Sequence, residues 1–179
     1  MIRLLITALV LVFTASCAQV PSRSLARIDA DANRTLERLY EYRPATRALL
    51  GGAAGVLIFP RNYKGGIGIG AEFGDGLLRE GGRTSGYYRI VSGSIGFQLG
   101  AQRRGQVIAF MDREALARFK RGSGWEIGVD GSVVVAEFGA SGELTTTSIN
   151  QPILAFIVGE VGLMYNATLE GAKISRLEE

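Results

Sequence analysis

Histidine is absent from this 179-residue chain, and cysteine occurs once, at Cys17. The first absence excludes Ser-His-Asp and Cys-His catalysis, the HExxH zinc motif and every other histidine-ligated metal site. The second excludes an intramolecular disulfide or a thiolate cluster, so neither a metal nor a cofactor is expected. Glycine is missing from the first fifty residues, whereas 22 of the 25 glycines fall between Gly51 and Gly142. A large excess of either charge is missing too, with 20 lysines and arginines against 17 acids. The formal net charge is +3, with no aromatic-and-basic RNA motif and no zinc-finger spacing, so nucleic acid is not an expected partner. With 47% hydrophobic and 21% charged residues, one globular domain with a proper core is affordable.

The chain opens with MIRLLITALVLVFTASC. Arg3 gives a positive start, and Leu4 to Ala15 form a mostly apolar stretch too short for the ~20 residues a bilayer span needs. Small residues then precede Cys17, the pattern of a secretory signal peptide. Thr-Ala-Ser-Cys resembles a bacterial lipobox, with Thr14 where leucine is usual. The expected organisation is a lipoprotein-type signal peptide over 1–16, acylated Cys17, a short tether over 17–24 and one domain over 25–179. Ala18 rather than aspartate after the cysteine points to the outer membrane, the domain facing the periplasm or exposed at the surface. Cleavage after Ala18 would instead give a soluble secreted or periplasmic protein.

The glycine-free arm, SRSLARIDADANRTLERLYEYRP, places Leu25, Ile28, Ala32, Leu36 and Leu39 at helical spacing. Pro44 closes this helix near Tyr42 and suits the start of a short second one, ATRALL, stopped by Gly51-Gly52. At roughly 100° per residue, Arg23, Arg27, Arg34 and Arg38 fall within about 60° of one another, nearly opposite the apolar stripe. A helix lying in a membrane interface has this pattern. A helix docked on its own domain has it as well, with Asp31, Glu37 and Glu41 open to local ion pairs.

The glycine-dense body reads as strands. Ala54–Phe59 is an apolar run closed by Pro60, and Ile67, Ile69, Ala71 and Phe73 alternate with Gly66, Gly68, Gly70 and Glu72. Ile95, Phe97 and Leu99 alternate likewise, and further strands are expected over 107–111, 132–138, 144–148, 153–159 and 163–169. Gly81-Gly82 and Asp130-Gly131 sit between extended runs as turns. DREALARFKRG reads as one further helix near 112–121, with Asp112 as N-cap and Gly122 as stop.

The stretch KGGIGIGAEFGDG is not a phosphate-cradling loop. Gly68, Gly70 and Gly74 give GxGxxxG, one residue too long for the dinucleotide fingerprint, and strand-like alternation runs through it. No P-loop and no YxxxK pair is present. Glycine at alternate strand positions leaves one face bare, so that another layer approaches closely. Glu72, Asp75 and Glu80 form a candidate carboxylate cluster for catalysis, but acids on hairpins are usually just solvated, so no enzyme activity is expected.

GVLIFPRNYKGGIGIGAEFGDGLL, GYYRIVSGSIGFQLGAQ, MDREALARFKRGSGWEIGVDGSV and ILAFIVGEVGLMYNATLEGAKISRL, in that order, resemble the SYLF domain family over residues 25–177. The resemblance implies a non-catalytic module that binds phosphoinositides and other anionic lipids, partly through an N-terminal amphipathic helix. Arg27, Arg34 and Arg38 of the arm, and Arg61 and Lys64 of the segment after GVLIFP, are its candidate lipid contacts. Many members carry lysine just before GVLIFP, where this chain has Ala54. No SH3 domain follows Glu179, so an actin-adaptor role is not supported, and protein partners stay open. The expected architecture is α+β: N-terminal helices packed on a curved, glycine-rich, mainly antiparallel β-sheet. The alternative function is an envelope structural or partner-binding lipoprotein with no lipid ligand.

Replacing Cys17 by Ser tests the expected anchor. Loss of signal-peptide processing, or release from the membrane fraction, is expected. An unchanged mass and unchanged partitioning would show that Cys17 carries no acyl chain.

Overall fold

The computed structural model describes residues 24–67, 69–95, 100–122, 124–136, 145, 150–159, 169 and 171–177. Cys17, Arg23, Gly68, Phe97, Leu99 and the strands expected over 144–148 and 163–169 lie outside this set, apart from Thr145 and Leu169. The elements run α1 (Leu25–Tyr42), α2 (Ala45–Gly51), β1 (Gly55–Ile67), β2 (Ile69–Glu80), β3 (Arg83–Ile95) and β4 (Gly100–Phe110). Then follow α3 (Arg113–Arg121), β5 (Trp125–Glu126), β6 (Val134–Val135), β7 (Ile153–Val158) and β8 (Lys173–Arg176). The strands form one curled sheet in the order β5-β8-β3-β2-β1-β4-β7-β6. Every pairing is antiparallel except β6 with β7. The fold is α+β, as expected.

Side chains alternate between the faces of a strand, and this alternation splits the core in two. On one face Ile28, Ala32, Leu36 and Leu39 of α1 and Leu50 of α2 pack on Ile58, Leu77, Val107, Leu154 and Phe156. On the other, Leu57, Phe59, Leu78 and Ile108 meet Leu116 and Phe119 of α3 and Trp125. Phe119 centres an aromatic cluster, 5.0 Å from Tyr88, 5.0 Å from Phe110 and 5.6 Å from Trp125 between ring centroids. Burial pushes the Tyr88 hydroxyl above the ordinary tyrosine range. β7 is buried along its whole length because both layers cover it. Asp112 caps α3 by accepting from the N–H groups of Glu114 and Ala115, each at 3.1 Å.

Two strand expectations are corrected. Pro60 does not close a strand; β1 runs through it to Ile67. Ile67 to Phe73 is not one alternating strand but the two arms of a hairpin, since Ile67 pairs with Ile69, and Tyr63 with Phe73. Period-two alternation continues across a tight hairpin turn, so the pattern alone did not reveal the reversal.

The register explains how Pro60 is tolerated. Between Phe59 and Asn62, β1 advances three residues while β4 advances two, from Gln106 to Arg104. Against β2, β1 advances five residues from Ile58 to Tyr63 while the partner advances four, from Leu77 to Phe73. One extra residue is therefore accommodated as a β-bulge, a place where a residue without an N–H does little harm. Gly76 faces this bulge. A Cβ there would lie against the Ile58 carbonyl and the Phe59 ring, whereas one on exposed Gly93 would meet nothing within 4 Å.

Gly76→Ala should therefore lower the free energy of unfolding by the ~1–3 kcal/mol typical of overpacking, while Gly93→Ala stays within about 0.5 kcal/mol of the parent. Equal effects in chemical denaturation would show that the bulge imposes no special demand on Gly76.

Candidate functional site

The amphipathic helix α1 is docked, and its apolar stripe is used up in doing so. Ala32 and Leu39 are fully buried and Ile28 is 1% exposed; Leu25, at 41%, is the member of the expected stripe that stays out. Polar contacts fix both flanks. On one, Asp29 accepts from the hydroxyls of Thr84 at 2.8 Å and Tyr87 at 2.5 Å, and Arg79 donates to Asn33 at 2.7 Å. On the other, Asp31 is almost wholly buried and accepts from Arg34 within the helix and from Arg61 on β1 at 2.8 Å. The β1 bulge turns Arg61 towards this helix.

Beside the Asp31 flank opens a cleft of about 530 Å³, floored by β1, β4 and the end of β7 and walled by α1. Its lining includes Arg34, Arg38, Arg61, Arg103 and Arg104, against Asp31, Glu37 and Glu41. Gly105 sets its inner edge, because a Cβ there would lie 2.9 Å from the Thr35 methyl. α1 can approach β4 this closely because the strand offers no side chain at the crossing. Asp31 joins two guanidinium groups through a single oxygen, Oδ1, and its Oδ2 is buried without a hydrogen-bond partner. A guanidinium carries five donors, so each of these arginines keeps donors for a ligand while the carboxylate holds it in place.

The expected contacts are distributed unevenly. Arg34, Arg38 and Arg61 come together at this cleft; Arg27 is exposed and lies outside its lining. Lys64 lies on β1 in register with Glu72 and Gln102, and its side chain is outside the described set. Arg34 and Arg38 therefore line the flank of α1 that meets the sheet instead of forming a stripe directed wholly at solvent. Glu37 does not pair within α1 but with Arg47 of α2, at 3.1 Å. Arg103 and Arg104 were missed in the sequence, although Arg103-Arg104 stands out there as a basic pair. Strand alternation sends these two side chains to opposite faces of β4, and only the helix position shows which face matters.

The carboxylates singled out for catalysis are separated. Glu72 accepts from Arg104 Nε at 3.0 Å and Nη2 at 2.5 Å, from Gln106 at 2.9 Å and from Asn62 at 3.1 Å. All four residues are buried. Asp75 holds Arg89 in a two-point pair, Nε to Oδ1 at 2.6 Å and Nη2 to Oδ2 at 3.0 Å, and this hydrogen bonding raises the Arg89 pKa. Glu80 pairs with Lys120 of α3 at 2.7 Å. Each acid thus has its own cation, and Glu72 and Asp75, three apart on β2, point to opposite faces. Among the described residues, no group of three potential metal ligands is found.

Removing one member of a buried ion pair strands the other charge, at a typical cost of ~3–5 kcal/mol. Glu72→Leu should show that loss in urea denaturation, and Arg104→Met added to it should recover much of the stability. A double variant no more stable than the single one would show that the pair is not what holds β1, β2 and β4 together here.

Residues 91–179 match the family model Ysc84, described as Las17-binding protein actin regulator. No curated protein matches the chain. The matched half carries β4 with Arg103 and Arg104, α3, and β7 at the end of the cleft. The match over residues 91–179 identifies this part of the chain as SYLF (Ysc84), a lipid-binding type of domain and the family that the ordered segments quoted above resemble.

Proposed function

We propose that this protein is a non-catalytic, membrane-tethered envelope lipoprotein whose domain binds the phosphate-bearing headgroup of an anionic phospholipid in the cleft between α1 and the β1 bulge. The observation that carries this reading is the cleft itself, where Arg34, Arg38, Arg61 and Arg103 gather beside the buried Asp31 carboxylate, with Glu37 and Glu41 at its edge. Family membership agrees with a lipid ligand, and acylated Cys17 would supply the anchor at the outer membrane. Because an anchor already tethers the protein, headgroup recognition serves a purpose beyond tethering, such as contact with a second bilayer or selection of one lipid. The docked apolar stripe of α1 favours headgroup recognition through the arginine flank over insertion of the helix.

Arginine attraction to an anionic surface is worth roughly 1 kcal/mol per residue and is screened over ~8–10 Å near physiological ionic strength. Co-sedimentation of the protein lacking Met1 to Cys17 with phosphatidylglycerol vesicles should therefore fall steeply as salt rises, and stay low with phosphatidylcholine. Arg38→Glu with Arg103→Glu should weaken it at least about tenfold while the fold, checked by circular dichroism, survives. Absence of binding to anionic vesicles would favour the partner-binding lipoprotein without a lipid ligand. Unchanged binding by a folded double variant would move the site away from this cleft.

A further inference from the structure

Past the bulge, the strands run out from under α1, and their register builds a second surface beside the cleft. Tyr63 of β1 lies opposite Phe73 of β2 and opposite Arg103 of β4. Phe73 lies opposite Val91 of β3, and Val91 opposite Lys173 of β8. Residues opposite one another share a face of the sheet. With Lys173 opposite Glu126 of β5, the row therefore reads Arg103, Tyr63, Phe73, Val91, Lys173, Glu126 across six strands. The rings of Tyr63 and Phe73 are 5.8 Å apart, as the register requires. Phe73 is 37% exposed and Val91 48%, two of the largest exposed apolar side chains described, and they sit side by side.

The neighbouring row on this face carries no charge or bulk either. Gly65 pairs with Ala71, and Ala71 with Gly93; Ala71 and Gly93 are both exposed. Charge on the face is confined to its borders. Arg103 is exposed at one end of the row, Lys173 lies opposite Glu126 at the other, and Asp75 with Arg89, cancelling each other, lie on the side towards α1. Arg103 also lines the cleft, so the apolar row and the headgroup site share a residue and form one continuous surface.

Resting on the headgroup reading above, we infer that the Tyr63–Phe73–Val91 row is the part of the domain that enters the bilayer interface, with Arg103 at the phosphate level where the row meets the cleft. The occupant is an anionic phospholipid bilayer. A tyrosine beside exposed apolar groups suits the boundary between headgroups and acyl chains. Arg103, at the end that continues into the headgroup cleft, suits an anionic phosphate, whereas Lys173 at the other end is balanced by Glu126 opposite it. Seating the row in the interface places the cleft mouth at headgroup depth.

The test uses the protein lacking Met1 to Cys17, as above, and phosphatidylglycerol vesicles whose acyl chains are brominated, which quench tryptophan only at close range. Phe73→Trp reports the row, and Val129→Trp, 75% exposed on the turn after β5, is the control. The native Trp125 is buried and gives a constant background. Quenching of Trp at position 73 and not at 129 is expected. In a second measurement, Phe73→Ser with Val91→Ser should weaken binding to phosphatidylglycerol vesicles about tenfold, with salt dependence retained. Vesicle binding without quenching at 73, or equal quenching at both positions, overturns the inference and leaves the headgroup reading standing. Lack of vesicle binding removes both. Concentration-dependent dimerisation without vesicles, abolished by the double serine variant, would assign the row to a second copy instead.

Discussion

One extra residue in β1, the bulge between Phe59 and Asn62, resets the relation of that strand to both of its neighbours. Before it, β1 is an apolar core strand with Ile58 under α1 and Phe59 under α3. Beyond it, the same strand carries Arg61 towards Asp31 and Asn62 into the buried Glu72 network. A bulge increases local twist and re-aims side chains, which is what a change from core to site requires. Gly76, with no side chain, makes room for it on β2. Without the shift, the face pattern of residues 61–67 would invert, and the cleft would lose its β1 arginine.

Two of the buried carboxylates, Asp31 and Glu72, then organise the polar chemistry, one on each face. Glu72 gathers donors from β1 and β4 on the α3 side. Asp31 gathers arginines from α1 and β1 on the other. The consequences differ because of solvent access. Arg104 is 8% exposed and its charge is spent internally, whereas the Arg34 side chain is 63% exposed and remains directed at the cleft. The same pair of residue types therefore serves as structural glue in one place and as a presented cation in the other.

A docked α1 also decides which surfaces remain for a membrane. Its stripe is covered, so the membrane-facing candidates are its arginine flank and the row where β1 to β3 emerge from beneath it. These adjoin at Arg103, and a bilayer offers matching layers in the same order, phosphates beside acyl chains.

Much of the architecture was legible in the chain because it depends on local periodicity. The helix over 25–42, its short successor, the capped helix after Asp112 and the Gly81-Gly82 turn all rest on spacing, capping or backbone freedom within a few residues. The exclusion of histidine and thiolate chemistry likewise needs composition alone. The site was legible only in part. Arg34, Arg38 and Arg61 were marked as basic residues, but their meeting depends on a helix crossing strands thirty residues away. Period-two alternation looks the same on either side of a tight turn, so the hairpin of β1 and β2 was hidden, and with it the alignment of Tyr63, Phe73 and Val91. Nor could one sequence show that Arg103 and Arg104 serve opposite faces, since that is fixed by which layer lies on which side. The sequence by itself determined the elements and the excluded chemistries, because these follow from neighbours along the chain. Tertiary structure decided which charges are buried, which are presented and which apolar residues stay uncovered, because burial is set by the layers that pack across the sheet.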